Sequence, residues 1–248
     1  MKLLVPVFFL ALISCASRTD RSPGICLSFD DRTINEWYAM IPLLDKYQAH
    51  VTFFVTQLDS LRPDEIRKLK ALAERGHEIA SHGARHVNAE TYIKEHGYRA
   101  WLDNEVDHSI NVMKLAGFDP VTFAYPYGAK YWFTDFLLLQ RFNCVRSVAV
   151  LGADADIASL DDVFYNFDND DKLLALGIDV NSGLTRQMVR KAIERSVAKR
   201  EVMMLYGHTP ATAGDSVYRF DPGLLEFILE EGAQNGLRFY TFNGLRGE

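Results

Sequence analysis

Gly24-Ile25-Cys26-Leu27-Ser28-Phe29-Asp30-Asp31-Arg32 begins as an apolar run and ends on two adjacent carboxylates. The apolar part has strand character, and side chains in a strand alternate between two faces. At the strand's end the backbone turns, which lets both carboxylates face one pocket. Two acids side by side repel, so the pair persists most easily where a cation or a shared proton neutralises one of them. An ordinary Asp-Asp turn also accounts for the pair when it is taken alone, because Asp is common where a chain leaves a strand. The residues downstream decide between the two.

Downstream, short apolar runs alternate with amphipathic ones, without repeats or low-complexity stretches. Val51-Thr52-Phe53-Phe54-Val55 is β-branched and aromatic, hence a buried strand. Glu78-Ile79-Ala80-Ser81 and residues 121–124, 144–150, 202–206 and 237–242 read as further strands. Helices are expected over 36–47, from Pro63 to a cap at Gly76 with Ile66, Leu69 and Ala73 inward, and over 90–116 with Val106, Ile110 and Met113 on one face. Others are expected over 131–140, over 185–199 with Val189, Ala192, Ile193 and Val197 inward, and over 222–231. The Asp- and Asn-rich stretch 153–171 reads as a long loop with room for one short strand. Strand-helix alternation implies an α/β fold, a parallel sheet with helices outside it. The count suits a distorted (β/α) barrel of about seven units, in which working residues sit at the C-terminal ends of strands.

The N-terminus is set aside from this fold. A short basic start precedes an apolar run over 3–13, the length of a signal-peptide core and too short to span a bilayer. It closes on Leu12-Ile13-Ser14-Cys15, which resembles the lipobox of bacterial lipoproteins, where the cysteine carries the lipid. The expected organisation is a lipoprotein signal peptide over 1–14, a tether over 15–23 and one α/β domain over 24–248. A cleaved secretory signal without lipid is the alternative. Lipid on Cys15 places the chain in the cell envelope, extracytoplasmic and held to a membrane. Ala16, in place of an Asp that retains lipoproteins at the inner membrane in some bacteria, points to the outer one. Net charge is −6 with both signs mixed along the chain, so no basic stripe argues for nucleic acid. Cys26 and Cys144 lie in strand-like runs and read as buried thiols rather than a disulfide. The oligomeric state is left open.

Chemically able residues cluster just after strands. Asp30 and Asp31 follow the first. His82-Gly83-Ala84-Arg85-His86 follows the third, with histidines spaced to aim at a common point. Two histidines and a nearby carboxylate make a facial metal triad with open positions. Tyr125-Pro126-Tyr127-Gly128 follows Ala124, and Gly207-His208 follows the strand 202–206. His50, His77, His96 and His108 have no such partners and read as structural or exposed.

With these motifs in this order, the chain resembles the polysaccharide deacetylases of carbohydrate esterase family 4, the NodB-homology family, from about Gly24 to Phe242. The family's Thr-Phe-Asp-Asp stands here as Ser28-Phe29-Asp30-Asp31, its His-(Ser/Thr)-x-x-His as His82 to His86, and its Leu-x-His as Leu205-Tyr206-Gly207-His208, one residue longer. The resemblance implies Asp30 as catalytic base, Asp31, His82 and His86 as metal ligands, and His208 as general acid. It implies a divalent cofactor, zinc first, with cobalt or nickel suiting the same ligands. A backbone N–H near Tyr127, in the turn shared with Tyr125, would face the oxyanion. The third motif, Arg-x-Pro-Tyr, is Ala124-Tyr125-Pro126-Tyr127 and lacks its Arg, which in the family holds the base carboxylate. The fourth, Asp followed by Trp, is matched only by Asp179-Val180; Asp179 is either a tuner of His208 or a loop carboxylate.

The implied reaction is hydrolysis of N-acetyl groups on a glycan containing N-acetylglucosamine, with release of acetate. An amide carbonyl is a poor electrophile and its amine leaving group needs a proton, which explains a metal, a base and a histidine acid together. An O-acetyl esterase and a catalytically silent carbohydrate-binding protein on the same barrel are the rival readings. Tyr125, Tyr127, Tyr131 and Trp132 either line a glycan groove or, for Tyr131 and Trp132, pack a strand-helix junction.

Overall fold

The computed structural model describes residues 22–152 and 155–246. The 1–14 segment and Cys15 lie outside the described residues. Strands β1 (Gly24–Asp31), β2 (Thr52–Val55), β3 (Glu78–Ser81), β4 (Thr122–Ala124) and β5 (Cys144–Ala149) come first in the chain. A two-residue β6 (Phe164–Tyr165), β7 (Lys172–Gly177) and β8 (Val202–Gly207) follow. The short β9 (Thr209–Pro210) and β10 (Arg219–Phe220) pair with each other, and β11 (Arg238–Tyr240) is last. In the main sheet β1, β2, β3, β4, β5, β7 and β8 are joined by parallel pairings in that order, and β8 pairs back with β1. Seven parallel strands therefore close a barrel. Strand β1 takes β11 along Gly24–Cys26 and β2 along Ser28–Asp31, so the wall is split at this stave.

Residue parity builds the layers. Ile25, Leu27 and Phe29 of β1, Phe53 and Val55 of β2, and Met203 and Leu205 of β8 point outward into the large core beneath the helices. Cys26, Phe54, Ala80, Ala124, Cys144, Ala175 and Met204 point inward and fill the barrel. The period of two then carries Asp30, His82, Arg146 and Tyr206 onto the inner face near the strands' C-terminal ends. At the opposite end Glu78 accepts from Thr52 Oγ1 (2.8 Å), Thr122 Oγ1 (2.6 Å) and the Asn243 N–H (3.0 Å), tying three staves to the chain's last turn. Outside lie α1 (Ile34–Ala39), α2 (Ile41–Lys46), α3 (Pro63–Ala73), α4 (Ala89–Trp101), α5 (His108–Leu115), α6 (Thr134–Leu138), α7 (Arg186–Lys199) and α8 (Pro222–Gln234).

The barrel class matches the sequence expectation, but two strand assignments do not. Lys172–Gly177, outside the expected strands, is a barrel stave. The run 237–242 forms only β11, an appendage on β1. The expected helix over 36–47 is broken at Met40, and Pro42 lies in the first turn of the second piece. The expected helix over 90–116 is interrupted by Gly97 (φ 84°) and by a π turn, Leu102–Asp107. Ala73 and Val197 are exposed, and Leu72 and Ser196 take the inward places instead. Only the last expected inward position of each helix moves back by one residue; Leu69 of α3 and Val189, Ala192 and Ile193 of α7 are buried as expected.

Candidate active site

Strand β1 delivers Asp30 buried, 2% exposed, and then turns through Asp31 at φ 87°. A left-handed conformation is costly for a residue with a Cβ. Here it breaks the strand's alternation, so that Asp31 also reaches the mouth of the barrel. His82, just past β3, is buried; its N–H donates to the Val55 carbonyl (2.9 Å) and its Nδ1 donates to the Ala124 carbonyl (2.8 Å). A carbonyl only accepts, so Nδ1 carries the hydrogen and Nε2 offers its lone pair to the pocket. Asp31 Oδ1 lies 3.6 Å from His82 Nε2 and 3.1 Å from His86 Nε2.

The donor atoms of Asp31, His82 and His86 all lie within 4.8 Å of one another, the spacing of ligands around one ion. Asp31 Oδ1 is buried without a hydrogen-bond partner, as a ligand oxygen would be. One anionic oxygen and two neutral imidazole nitrogens suit zinc, cobalt or nickel. Burial pushes the Asp31 carboxyl up, but the neighbouring His86 and the charges of His82 and His208 outweigh it and hold the group at about 2. Burial drives His82 down to about 4, against the pull of Asp30 and Asp31. Both residues are therefore in their ligand forms at neutral pH.

The loop between the two histidines is gripped from outside by Glu105, on the π turn. Its Oε2 accepts the Arg85 N–H (2.9 Å), its Oε1 the Val87 N–H (3.1 Å), and its carbonyl the Ala84 N–H (3.0 Å). Gly83, where the resembled motif has Ser or Thr, sits at φ 76° with Glu105 Oε1 where a Cβ would stand. His86 itself is at φ 61°. Its ring lies under that of Tyr127 (4.7 Å between centroids), and Tyr127 is at φ 60° and 63% exposed. Tyr127 thus stands at the rim as expected.

Tyr125 does not. It is buried against Trp101 and Phe123, and its hydroxyl donates inward to Asp135 Oδ1 (2.9 Å), which removes it from any substrate surface. Trp132 is 88% exposed and Tyr131 half-buried, stacked on Phe133 (5.5 Å); the packing reading fails for Trp132.

His208 follows β8. Its N–H donates to Asp179 Oδ1 (3.1 Å) and its Nδ1 lies 2.5 Å from Asp179 Oδ2, so one buried carboxylate orients both backbone and ring. Nε2 is left as the working nitrogen. The His208 carbonyl accepts from Trp37 Nε1 (3.0 Å), anchoring this corner to α1. Burial alone lowers the imidazole's affinity for a proton, but the Asp179 hydrogen bond and the charges of Asp30 and Asp179 more than reverse that, and the net shift is upward. Tyr206 and Tyr218 stand edge-on to the ring at 5.6 and 5.2 Å.

Of the two readings offered for Asp179, the contacts to His208 favour the tuner; it lies two residues past the end of β7. Two features have no counterpart in the sequence reading. Leu205 faces the outer core, while Tyr206, which stands two residues before His208 as the Leu does in Leu-x-His, faces inward. Arg146 of β5 is fully buried in the barrel with its Nη2 on Asp30 Oδ1. A charged residue in the inward register of an apolar strand was the available signal for it. His50 and His96 are exposed, His108 is half-buried and His77 is a core residue; among the described residues none joins the cluster.

A family model described as Polysaccharide deacetylase matches residues 17–140, half of the chain. No curated protein sequence matches. Among solved structures, the catalytic domain of the peptidoglycan N-acetylglucosamine deacetylase from Eubacterium rectale is 21% identical with a TM-score of 0.54, covering 90% of each chain. The Xyl-CE4 domain of a multidomain xylanase from the hindgut metagenome of Trinervitermes trinervoides is 15% identical with a TM-score of 0.55, covering 90% of this chain and 89% of its own. A mutant of a CE4-family pseudoenzyme with restored activity is 13% identical with a TM-score of 0.59, covering 92% of this chain and 68% of its own. At these identities the likeness is one of fold.

Gly83→Ala is expected to destabilise the chain by about 1–2 kcal/mol from the forced left-handed backbone and to weaken divalent-ion binding by pushing Glu105 off the loop. Urea unfolding and ion titration read both. An unchanged midpoint with unchanged ion affinity would contradict the role given to Glu105.

Proposed function

This chain belongs to the polysaccharide deacetylase family, and we propose that it hydrolyses N-acetyl groups on a glycan containing N-acetylglucosamine, releasing acetate. Asp31, His82 and His86 would hold a divalent ion, zinc first. When bound, the ion supplies Lewis acidity toward an acyl carbonyl and toward water. The chain's own groups do the rest. Asp30 accepts the proton of the attacking water at its carboxylate. A backbone N–H near Tyr127 donates to the oxygen that gains charge. His208 Nε2 gives its proton to the departing amine. Exposed Tyr127 and Trp132 offer flat faces on which sugar rings stack.

The observation that carries this reading is the opposition of charges in one pocket. The Asp179 hydrogen bond and, after it, the Asp30 charge that suits a base favour a proton on His208. An amine leaving group needs that proton, whereas an alkoxide leaves more easily without it. A histidine that holds its proton more tightly than an ordinary one therefore favours the N-acetyl linkage over an ester. A binding protein without catalysis has no use for an acid oriented through two contacts to one carboxylate.

Purified 24–248 loaded with zinc is expected to release acetate from N-acetylglucosamine oligomers faster than from acetylated xylan, and Asp30→Asn to lower kcat by about 10² or more. Faster release from the xylan would favour the esterase, and no release from either would favour a silent binder.

A second expectation concerns pH. The proton on His208 is held more tightly in the folded chain, so the stability it adds is fully present below the ordinary value of about 6.5 and is lost as pH rises through the raised folded value. The acid form disappears in the same window, giving kcat an alkaline limb above the ordinary histidine range. Asp179→Asn removes the main cause of the raised value and should move that limb to lower pH. A limb that stays in place would contradict His208 as the acid.

A further inference from the structure

Ala124 and Arg146 are register partners on the neighbouring strands β4 and β5. Paired residues on adjacent strands project to the same face, about 4.8 Å apart. Strand β4 therefore presents only a methyl group where the resembled motif has its arginine, and the next strand presents an arginine at the same level.

The path of that side chain is specific. Strand β5 is separated from β1 by three staves on one side and two on the other, so the guanidinium crosses the barrel to reach Asp30. It passes between the rings of Phe54 on β2 and Tyr206 on β8, whose centroids lie 5.1 and 4.8 Å from its Cζ. Tyr206 stands where the resembled motif has Leu, so the cation meets a π face there instead of an alkyl side chain. Nε and Nη1 of Arg146 meet no hydrogen-bond acceptor. Among the described residues Asp30 is its one ion-pair partner. Burying a guanidinium with most of its donors unused costs stability that an apolar side chain in the same space would not cost. What this arginine provides is contact with the Asp30 carboxylate.

We infer that Arg146 is a positioning residue for the proposed reaction: the arginine that orients the Asp30 carboxylate has moved one strand sideways, and the small Ala124 leaves it room to cross. Tyr206 belongs to the same exchange as one wall of the slot. The inference rests on the hydrolase reading above, in which Asp30 is the base.

The test is a swap. Arg146→Ala is expected to lower kcat for acetate release about a hundredfold while KM stays within about twofold, with bound divalent ion unchanged. Ala124→Arg combined with Arg146→Ala returns the guanidinium to β4 and is expected to recover about tenfold or more of that loss. A side chain that merely fills the barrel predicts near-parental kcat in folded Arg146→Ala, or no recovery in a folded swap; either result overturns the inference. Should Arg146→Ala fail to fold, Arg146→Lys, which keeps the charge but not the fork, decides: lower kcat at unchanged KM supports the assignment, and parental kcat overturns it. Should the parent release no acetate from any glycan, the hydrolase reading is what fails. The positioning claim is then judged on crystal structures of the parent and the Arg146 variants, where a turned Asp30 carboxylate supports it and an unmoved one overturns it.

Discussion

Two carboxylates on consecutive residues at the mouth of a barrel cannot both stay charged unless each is answered by its own partner. Asp30 is answered from inside by Arg146, between Phe54 and Tyr206. Asp31 is answered from the rim by His82 and His86, whose Nε2 atoms flank Oδ1, a carboxylate oxygen that makes no hydrogen bond. The left-handed backbone at Asp31 makes this division possible, because regular alternation would have sent the second carboxylate into the outer core. The chemistry assigned to each residue follows from which answer it received.

The site keeps unfavourable local geometry because a rigid frame holds it. Asp31, His86 and Tyr127, three residues at the barrel mouth, all have positive φ. Strain of this kind persists only where surrounding contacts over-determine it. Those contacts are Glu105 on the histidine loop, the Ala124 carbonyl on His82, and Asp179 with Trp37 on the His208 corner. Each holding group is buried and comes from a different part of the chain. The working atoms are thus fixed relative to one another through the barrel wall rather than through their own loops.

Much of this was legible in the residues, for physical reasons. Strand-helix alternation announced the barrel, and the rule that strand ends carry function singled out Asp30, Asp31, His82, His86, Tyr127 and His208. Long-range pairing was not legible. The apolar run Leu173-Leu174-Ala175-Leu176 is the available signal for the stave at Lys172–Gly177, but it is rich in Leu and Ala rather than β-branched residues and follows an Asp- and Asn-rich stretch, so periodicity alone does not separate strand from loop there. The π turn at Leu102–Asp107 breaks the helical period by one residue, which hid Glu105 on what looked like an ordinary helix face. Tyr125 sits in a motif beside Tyr127 yet turns inward, because the preceding strand sets its direction and motif membership does not. Arg146 could have been found by asking why an apolar strand carries a guanidinium.

The central claim is that adjacent carboxylates do different work, Asp31 for the ion and Asp30 for the proton. Calorimetric titration of zinc or cobalt into the parent, Asp30→Asn and Asp31→Asn proteins tests it most directly. One ion per chain in the parent, retained in Asp30→Asn and lost or greatly weakened in Asp31→Asn, is the predicted result. Equal affinity in parent and Asp31→Asn, or loss of the ion in Asp30→Asn alone, would contradict it.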